Sequence, residues 1–156
     1  MSRSIDRVVA AGAELGVTVE PRRFPQGTKT AQDAARAIGC DVAQIVKSLV
    51  YVADDQAFLA LTAGSNRADT ARLAAVLGAA EVRRADAEEA RAATGFAIGG
   101  TPPFGHPSPL RVVVDRDLMA HDEVWAAAGT PDAVFPLRPG DLVRASGGEV
   151  ADFAES

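Results

Sequence analysis

Ile45-Val46-Lys47-Ser48-Leu49-Val50-Tyr51-Val52 is an apolar, largely β-branched run broken by one ammonium group. Such a run predicts a strand covered on at least one face. The chain has only two lysines, Lys29 and Lys47, and carries its other basic residues as arginine, so Lys47 is not a routine solubilising choice. A cation in such a strand costs desolvation energy unless a partner compensates it. Two readings fit the run by itself. Either the lysine meets a ligand, as at many catalytic and binding sites, or its stem packs at a rim while its head reaches water.

Downstream, Asp54-Asp55 reads as a tight turn and Ala57–Thr62 as the second strand of a hairpin. Upstream, Ile5, Val8, Val9 and Leu15 recur at helical spacing over Ser4–Leu15, and Gly16 stops the pattern. Val17–Glu20 reads as a short strand and the residues from Pro21 to Gly27 as a loop. Thr30-x-x-Asp33 opens a second helix that ends near Gly39. Asp69 begins another, with Leu73, Val76 and Leu77 inward and Gly78 closing it. Asp86-x-x-Glu89 begins a fourth that ends at Thr94-Gly95. Leu110–Val114, Glu123–Ala127 and Ala133–Leu137 read as strands, and Pro139–Ala145 as a short helix. Several strands pair through short connections and regular βαβ alternation is missing. The expected class is therefore α+β, with a mixed sheet curled toward a barrel and helices packed outside. Residues 1–156 form one expected domain.

No stretch is apolar and long enough for a membrane-spanning helix, and the first residues lack the hydrophobic segment of a signal peptide. A single cysteine, Cys40, excludes an internal disulfide and a cysteine-rich zinc site. A cytoplasmic location is expected. The net charge of −5 argues against non-specific coating of nucleic acid. Local RNA contacts through Arg22-Arg23 with Lys29, or Arg67 with Arg72, stay open, although each also reads as solvated surface charge.

Gly and Pro are densest in Ile98-Gly99-Gly100-Thr101-Pro102-Pro103-Phe104-Gly105-His106-Pro107. Glycine permits positive φ and close backbone approach, while proline fixes φ and removes a donor. The remaining N–H groups of such a pre-shaped loop can converge on an oxygen, which is what an oxyanion hole needs. In isolation the loop reads more readily as a rigid connector between the preceding helix and the Leu110 strand.

Four stretches then match a known pattern in order: Thr30-Ala-Gln-Asp-Ala-Ala, Gln44-Ile-Val-Lys47-Ser-Leu-Val, Gly64-Ser-Asn-Arg67-Ala-Asp69, and Thr94-Gly-Phe-Ala-Ile-Gly99-Gly-Thr-Pro-Pro103-Phe-Gly. Weaker matches are Val114-Asp115-Arg-Asp-Leu118 and the turn Ala127-Ala-Gly129-Thr-Pro131. With these the chain resembles the YbaK family of aminoacyl-tRNA deacylases (ProX/YbaK type), free-standing relatives of the bacterial prolyl-tRNA synthetase editing domain. The resemblance implies metal-independent, cofactor-free hydrolysis of mischarged tRNA. Lys47 matches the family's functional lysine, and Gly99 to Pro103 its loop of backbone donors. Two positions depart from the pattern: Pro102 stands where a small polar residue is usual, and Thr101 where an aliphatic one is.

His106 and His121 are the only histidines, and no carboxylate pair sits at helical ligand spacing with either. A metal site or a Cys/His dyad therefore has little support. The expected catalytic groups are Lys47 with the Gly99 and Gly100 amides, assisted by Thr101 N–H, while a water attacks and the ribose hydroxyl shuttles the proton. Thr30, Ser48, Asn66, Arg67, Thr101, Pro103, His106 and Gly129 are the expected substrate-binding residues. Asn66 also reads as an ordinary turn former, His106 as a turn residue before Pro107, and Trp125 as core. Ser48, next to Lys47, must face the other side of a regular strand, so it reaches a shared pocket through an irregularity or through its backbone. The implied partners are the acceptor end of aminoacyl-tRNA and an aminoacyl-tRNA synthetase. The implied substrates carry small wrong residues such as Cys, Ala or Ser, with Cys-tRNA(Pro) the nearest match. The alternative is a non-catalytic module of the same fold that binds a small amino acid or an aminoacyl-adenylate-like ligand.

Overall fold

The computed structural model describes residues 3–25 and 30–155; Lys29 and the end of the loop expected through Gly27 lie outside them. Its centre is the hairpin of β2 (Val46–Ala53) and β3 (Gln56–Ala63), in register from Val46 opposite Ala63 to Ala53 opposite Gln56. The turn between them is the expected Asp54-Asp55. Both residues have positive φ, 44° and 77°, which matches the right-handed twist of the flanking strands.

β2 and β3 lie inside a mixed five-stranded sheet, ordered β4 (Val82–Arg84), β2, β3, β5 (Arg111–Asp115), β8 (Glu149–Ala151). β3–β5 and β5–β8 are parallel, while β2 pairs antiparallel with both neighbours. A second, antiparallel sheet is ordered β1 (Arg22–Arg23), β7 (Ala133–Leu137), β6 (Val124–Ala127). Among the described residues, one isolated bridge, from Ile45 to Trp125, ties the two sheets together.

The period of two in a strand assigns side chains to faces. Val46, Val50 and Val52 of β2, with Leu59, Leu61 and Ala63 of β3, face the main core, where Val124, Ala126 and Phe135 of the second sheet meet them. Helix α1 (Arg3–Glu14) adds Ile5 and Val8, and α5 (Pro139–Ser146) adds Leu142. The opposite face presents Tyr51, Phe58 and Ala60 to Leu73 of α3 (Thr70–Leu77) and to Phe153. β3 is thus buried on both faces, which is why it reads as a continuous apolar run. The remaining helices, α2 (Ala31–Ile38) and α4 (Ala87–Thr94), start at Thr30 and Asp86, whose side chains accept from Asp33 N–H and Glu89 N–H. None of the helices, among the described residues, is long and apolar enough to cross a membrane.

Two expectations need correction. Val17–Glu20 forms no strand: Val17 N–H donates to Gly12 O at 2.8 Å, closing the end of α1. Val17 and Val19 are buried by packing in the main core, which imitates strand alternation. The ladder begins instead at Arg22–Arg23, expected as loop, which pairs with Val134 and Ala133.

Candidate functional site

β2 is flanked unevenly. β3 pairs along its whole length, but β4 reaches only Tyr51–Ala53, and the backbone bridge to the second sheet lies at Ile45. Between them the edge of β2 borders a cavity of about 540 Å³, within the range of small-molecule sites. The other walls come from the start of α2, the loop at Gly64–Arg67, the loop at Ile98–Thr101, and β6.

This open edge explains how Lys47 and Ser48 both reach the cavity from opposite faces of one regular strand. Val50 C=O accepts from Ala85 N–H at 3.0 Å, so the backbone groups of even-numbered residues point to the β4 side. By the same alternation Ser48 N–H and C=O point past the end of β4. No irregularity is needed. Ser48 Oγ is buried and is the one buried side-chain polar atom without a hydrogen-bond partner among the described residues.

Lys47 is half-buried, and its Nζ donates to the backbone carbonyl of Asn66 at 2.6 Å. Burial, reinforced by Arg84 and Arg67, holds its pKa below the ordinary lysine value, and Asp115 opposes that shift. No carboxylate forms a salt bridge with Lys47 among the described residues. The loop that holds the lysine is itself anchored. Asn66 Nδ2 donates to Asp115 Oδ2 at 2.9 Å and to Asp117 Oδ2 at 2.8 Å. Asp115, only 1% exposed, also accepts from Ala63 N–H and Asp117 N–H, each at 3.0 Å. A buried carboxylate with this many donors is compensated, and it ties β5 to the loop under Lys47.

In the Gly/Pro loop the cavity receives Ile98, Gly99 and Thr101. Gly99 has φ +86°, a backbone region glycine adopts freely. Gly100 departs from expectation: its N–H already donates to Ala97 O at 3.0 Å and it is absent from the cavity wall. A Cβ there would sit 2.8 Å from Thr130 Cα and 2.9 Å from Gly129 O. Gly100 therefore lets two turns pack together, leaving Gly99 N–H and Thr101 N–H as the uncommitted donors, since Pro102 and Pro103 have none.

The other expected residues divide in the same way. Thr30 and Arg67 line the cavity, although Thr30 Oγ1 is already used in accepting from Asp33 N–H at 3.0 Å. Pro103, His106 and Gly129 are not on the wall. Gly129, at φ +109°, packs on α1, where a Cβ would meet Ser4 O at 2.6 Å. His106 Nε2 lies 2.9 Å from Pro102 O and its ring stands edge-on to Phe96; burial lowers its pKa. It braces the loop from behind. Arg84, Asp115 and the cavity-lining Trp125 are contributors that sequence reasoning missed or read as core. Arg84 carried no signal in the sequence, because β4 is too short to show alternation and is placed by its pairing with β2.

A family model for the aminoacyl-tRNA editing domain matches residues 25–145. The crystal structure of a candidate trans-editing enzyme for prolyl-tRNA synthetase superposes with a TM-score of 0.94 at 44% identity, covering 100% of this chain and 99% of that one. Among curated proteins, the proline–tRNA ligase of Lactobacillus gasseri is 34% identical over 106 residues, 68% of this chain but 19% of the ligase. The chain thus spans about a fifth of such ligases. The uncharacterized protein YwhH of Bacillus subtilis is 30% identical over 120 residues, 76% of each chain.

Proposed function

The chain belongs to the aminoacyl-tRNA editing domain family, and from that premise we propose that it is an aminoacyl-tRNA deacylase acting in trans on tRNA carrying a wrong, small amino acid. The likeness to a candidate trans-editing enzyme supports action in trans. The proposed substrates carry Cys, Ala or Ser on tRNA(Pro), and the proposed setting is the cytoplasm, with a synthetase as partner.

One observation carries the mechanism: Lys47 and the Gly99 loop line a single cavity. The ester carbonyl sits against Gly99 N–H and Thr101 N–H, which stabilise the oxyanion as water adds. Lys47, pinned on the neutral Asn66 carbonyl, keeps its charge for the ester and ribose oxygens. The ribose vicinal hydroxyl carries the proton to the departing 3′ oxygen, leaving free amino acid and intact tRNA. An aminoacyl ester is already activated, so placement supplies most of what is needed. The wall between Val46 and Ala126, with Ala85 and Ala90, is apolar and built of small residues. It suits a short side chain, and it rejects a bulky one more readily than it separates two small ones.

The test is a panel of Cys-, Ala-, Ser- and Pro-charged tRNA(Pro) incubated with purified protein. The expected result is ester loss well above buffer for the small wrong residues and little for Pro. No acceleration on any member, with binding of free small amino acid, would favour the non-catalytic module.

A further inference from the structure

His106 stands outside the cavity wall, yet it holds the far side of the loop that lines it. Its Nε2 lies 2.9 Å from the carbonyl oxygen of Pro102. A carbonyl only accepts, so Nε2 carries a proton and donates. The ring is set for that bond by its neighbours. It stands edge-on to Phe96, with the ring centres 6.5 Å apart. Arg7 of α1 lies over the same Phe96 ring, 4.3 Å from its centre, while donating to Gly95 O at 3.2 Å. A Cβ on Gly95 would come within 3.0 Å of Pro107, so the chain entering the loop packs directly on the chain leaving it. Gly95-Phe96 and His106-Pro107 are thus clasped together beside α1.

We propose that His106 is a positioning residue for the oxyanion donors, acting through Pro102 on Thr101 N–H. The inference rests on the deacylase reading above. The ring of Pro102 fixes its φ, so pinning its carbonyl fixes the one soft dihedral that remains. The plane of the Thr101–Pro102 peptide is thereby set, and a residue before proline has a narrowed range of its own. On the other side Gly100 N–H and Thr101 Oγ1 both donate to Ala97 O, at 3.0 and 3.3 Å. Thr101, 3% exposed, is therefore held from both sides and its free N–H keeps one direction. A donor fixed before the reaction does not reorganise as charge develops. His106 itself does not reach the cavity, so it takes no proton from the attacking water.

The experiment compares wild type, His106→Leu and His106→Gln, the last able to present an amide N–H to Pro102 O in place of Nε2. Circular dichroism checks folding. Without substrate, nitrogen NMR reads the ring tautomer and the backbone amides of Gly99 and Thr101. The expected result is the Nε2–H tautomer in wild type, with one sharp Thr101 signal there and in His106→Gln, and a shifted or broadened one in His106→Leu. On mischarged tRNA(Pro), kcat in His106→Leu falls by about tenfold, less than the loss from deleting a donor outright. KM changes little, and His106→Gln recovers most of the rate. An Nδ1–H tautomer, a Thr101 amide unmoved in His106→Leu, unchanged kcat in that variant, or equal losses in both variants would each overturn the role. Where His106→Leu does not fold, the tautomer and the rate of His106→Gln carry the same decision. The NMR arm needs no substrate, so a wild type that hydrolyses no ester refutes the deacylase reading, whereas a mobile tautomer or an unmoved amide refutes the clasp.

Discussion

The ammonium of Lys47 is held by the main-chain carbonyl of Asn66, 2.6 Å away, and not by a carboxylate. A neutral acceptor fixes the side chain without cancelling its charge. Asp115 stands behind the arrangement, holding Asn66 and the end of β3 at once. Position and charge are thus supplied by different residues.

Asp115→Asn tests that division. Asparagine must turn an NH₂ group toward one of the three donors that now meet a carboxylate, leaving a buried donor unpaired at a cost of about 1–3 kcal/mol. Urea unfolding should show a loss of that size. Deacylation by the folded variant should fall in kcat by about tenfold, equivalent to about 1.4 kcal/mol, with KM little changed.

Ser48→Ala should separate stability from function. The hydroxyl is buried without a partner, so its removal relieves a desolvation cost and should stabilise the fold by about 1 kcal/mol in chemical denaturation. If that oxygen serves the aminoacyl group, kcat/KM on mischarged tRNA should fall in the same variant. A destabilised Ser48→Ala with unaltered kinetics would assign the hydroxyl to the fold.

The lowered pKa of Lys47 should set the alkaline limb of activity if the proposed role holds. The ammonium is present below its folded pKa and lost above it, so the rate should decline at a lower pH than an ordinary lysine would give. Arg84→Gln removes a nearby cation that contributes to the shift. The limb should therefore move to higher pH, in single-turnover profiles corrected for spontaneous ester hydrolysis.

Glu89 should govern part of the acid stability. Arg83 hydrogen bonding holds its carboxyl down to about 2 from an ordinary 4.5. A depressed carboxylate pKa contributes stability that is present above the unfolded value and lost as pH falls from about 4.5 toward about 2. Glu89→Gln keeps an acceptor for Asp86 N–H but removes the charge, so thermal melts across that window should vary less with pH than those of wild type.

The hairpin, the caps at Thr30, Asp69 and Asp86, and the fully buried β3 were legible because each rests on local pattern: paired turn residues, a capping side chain, an unbroken apolar run. Lys47 was legible by its rarity. The short edge strands were not, since Arg22–Arg23, Val82–Arg84 and Glu149–Ala151 are held by backbone pairing across long separations. The same limit hid Arg84, placed by register alone, and Asp115, two of whose three donors lie 49 and 52 residues away. Gly100 shows the converse. Its motif was evident, but the use of its amide in a turn depends on a fold that no spacing reveals.

The most direct measurement is the single-turnover rate of deacylation of mischarged tRNA(Pro) by wild type and by Lys47→Ala, with folding of the variant verified by circular dichroism. The proposed role of Lys47 predicts a loss of at least about 100-fold, the scale of removing one electrostatic donor from a preorganised site. An unchanged rate in a folded Lys47→Ala protein would contradict it.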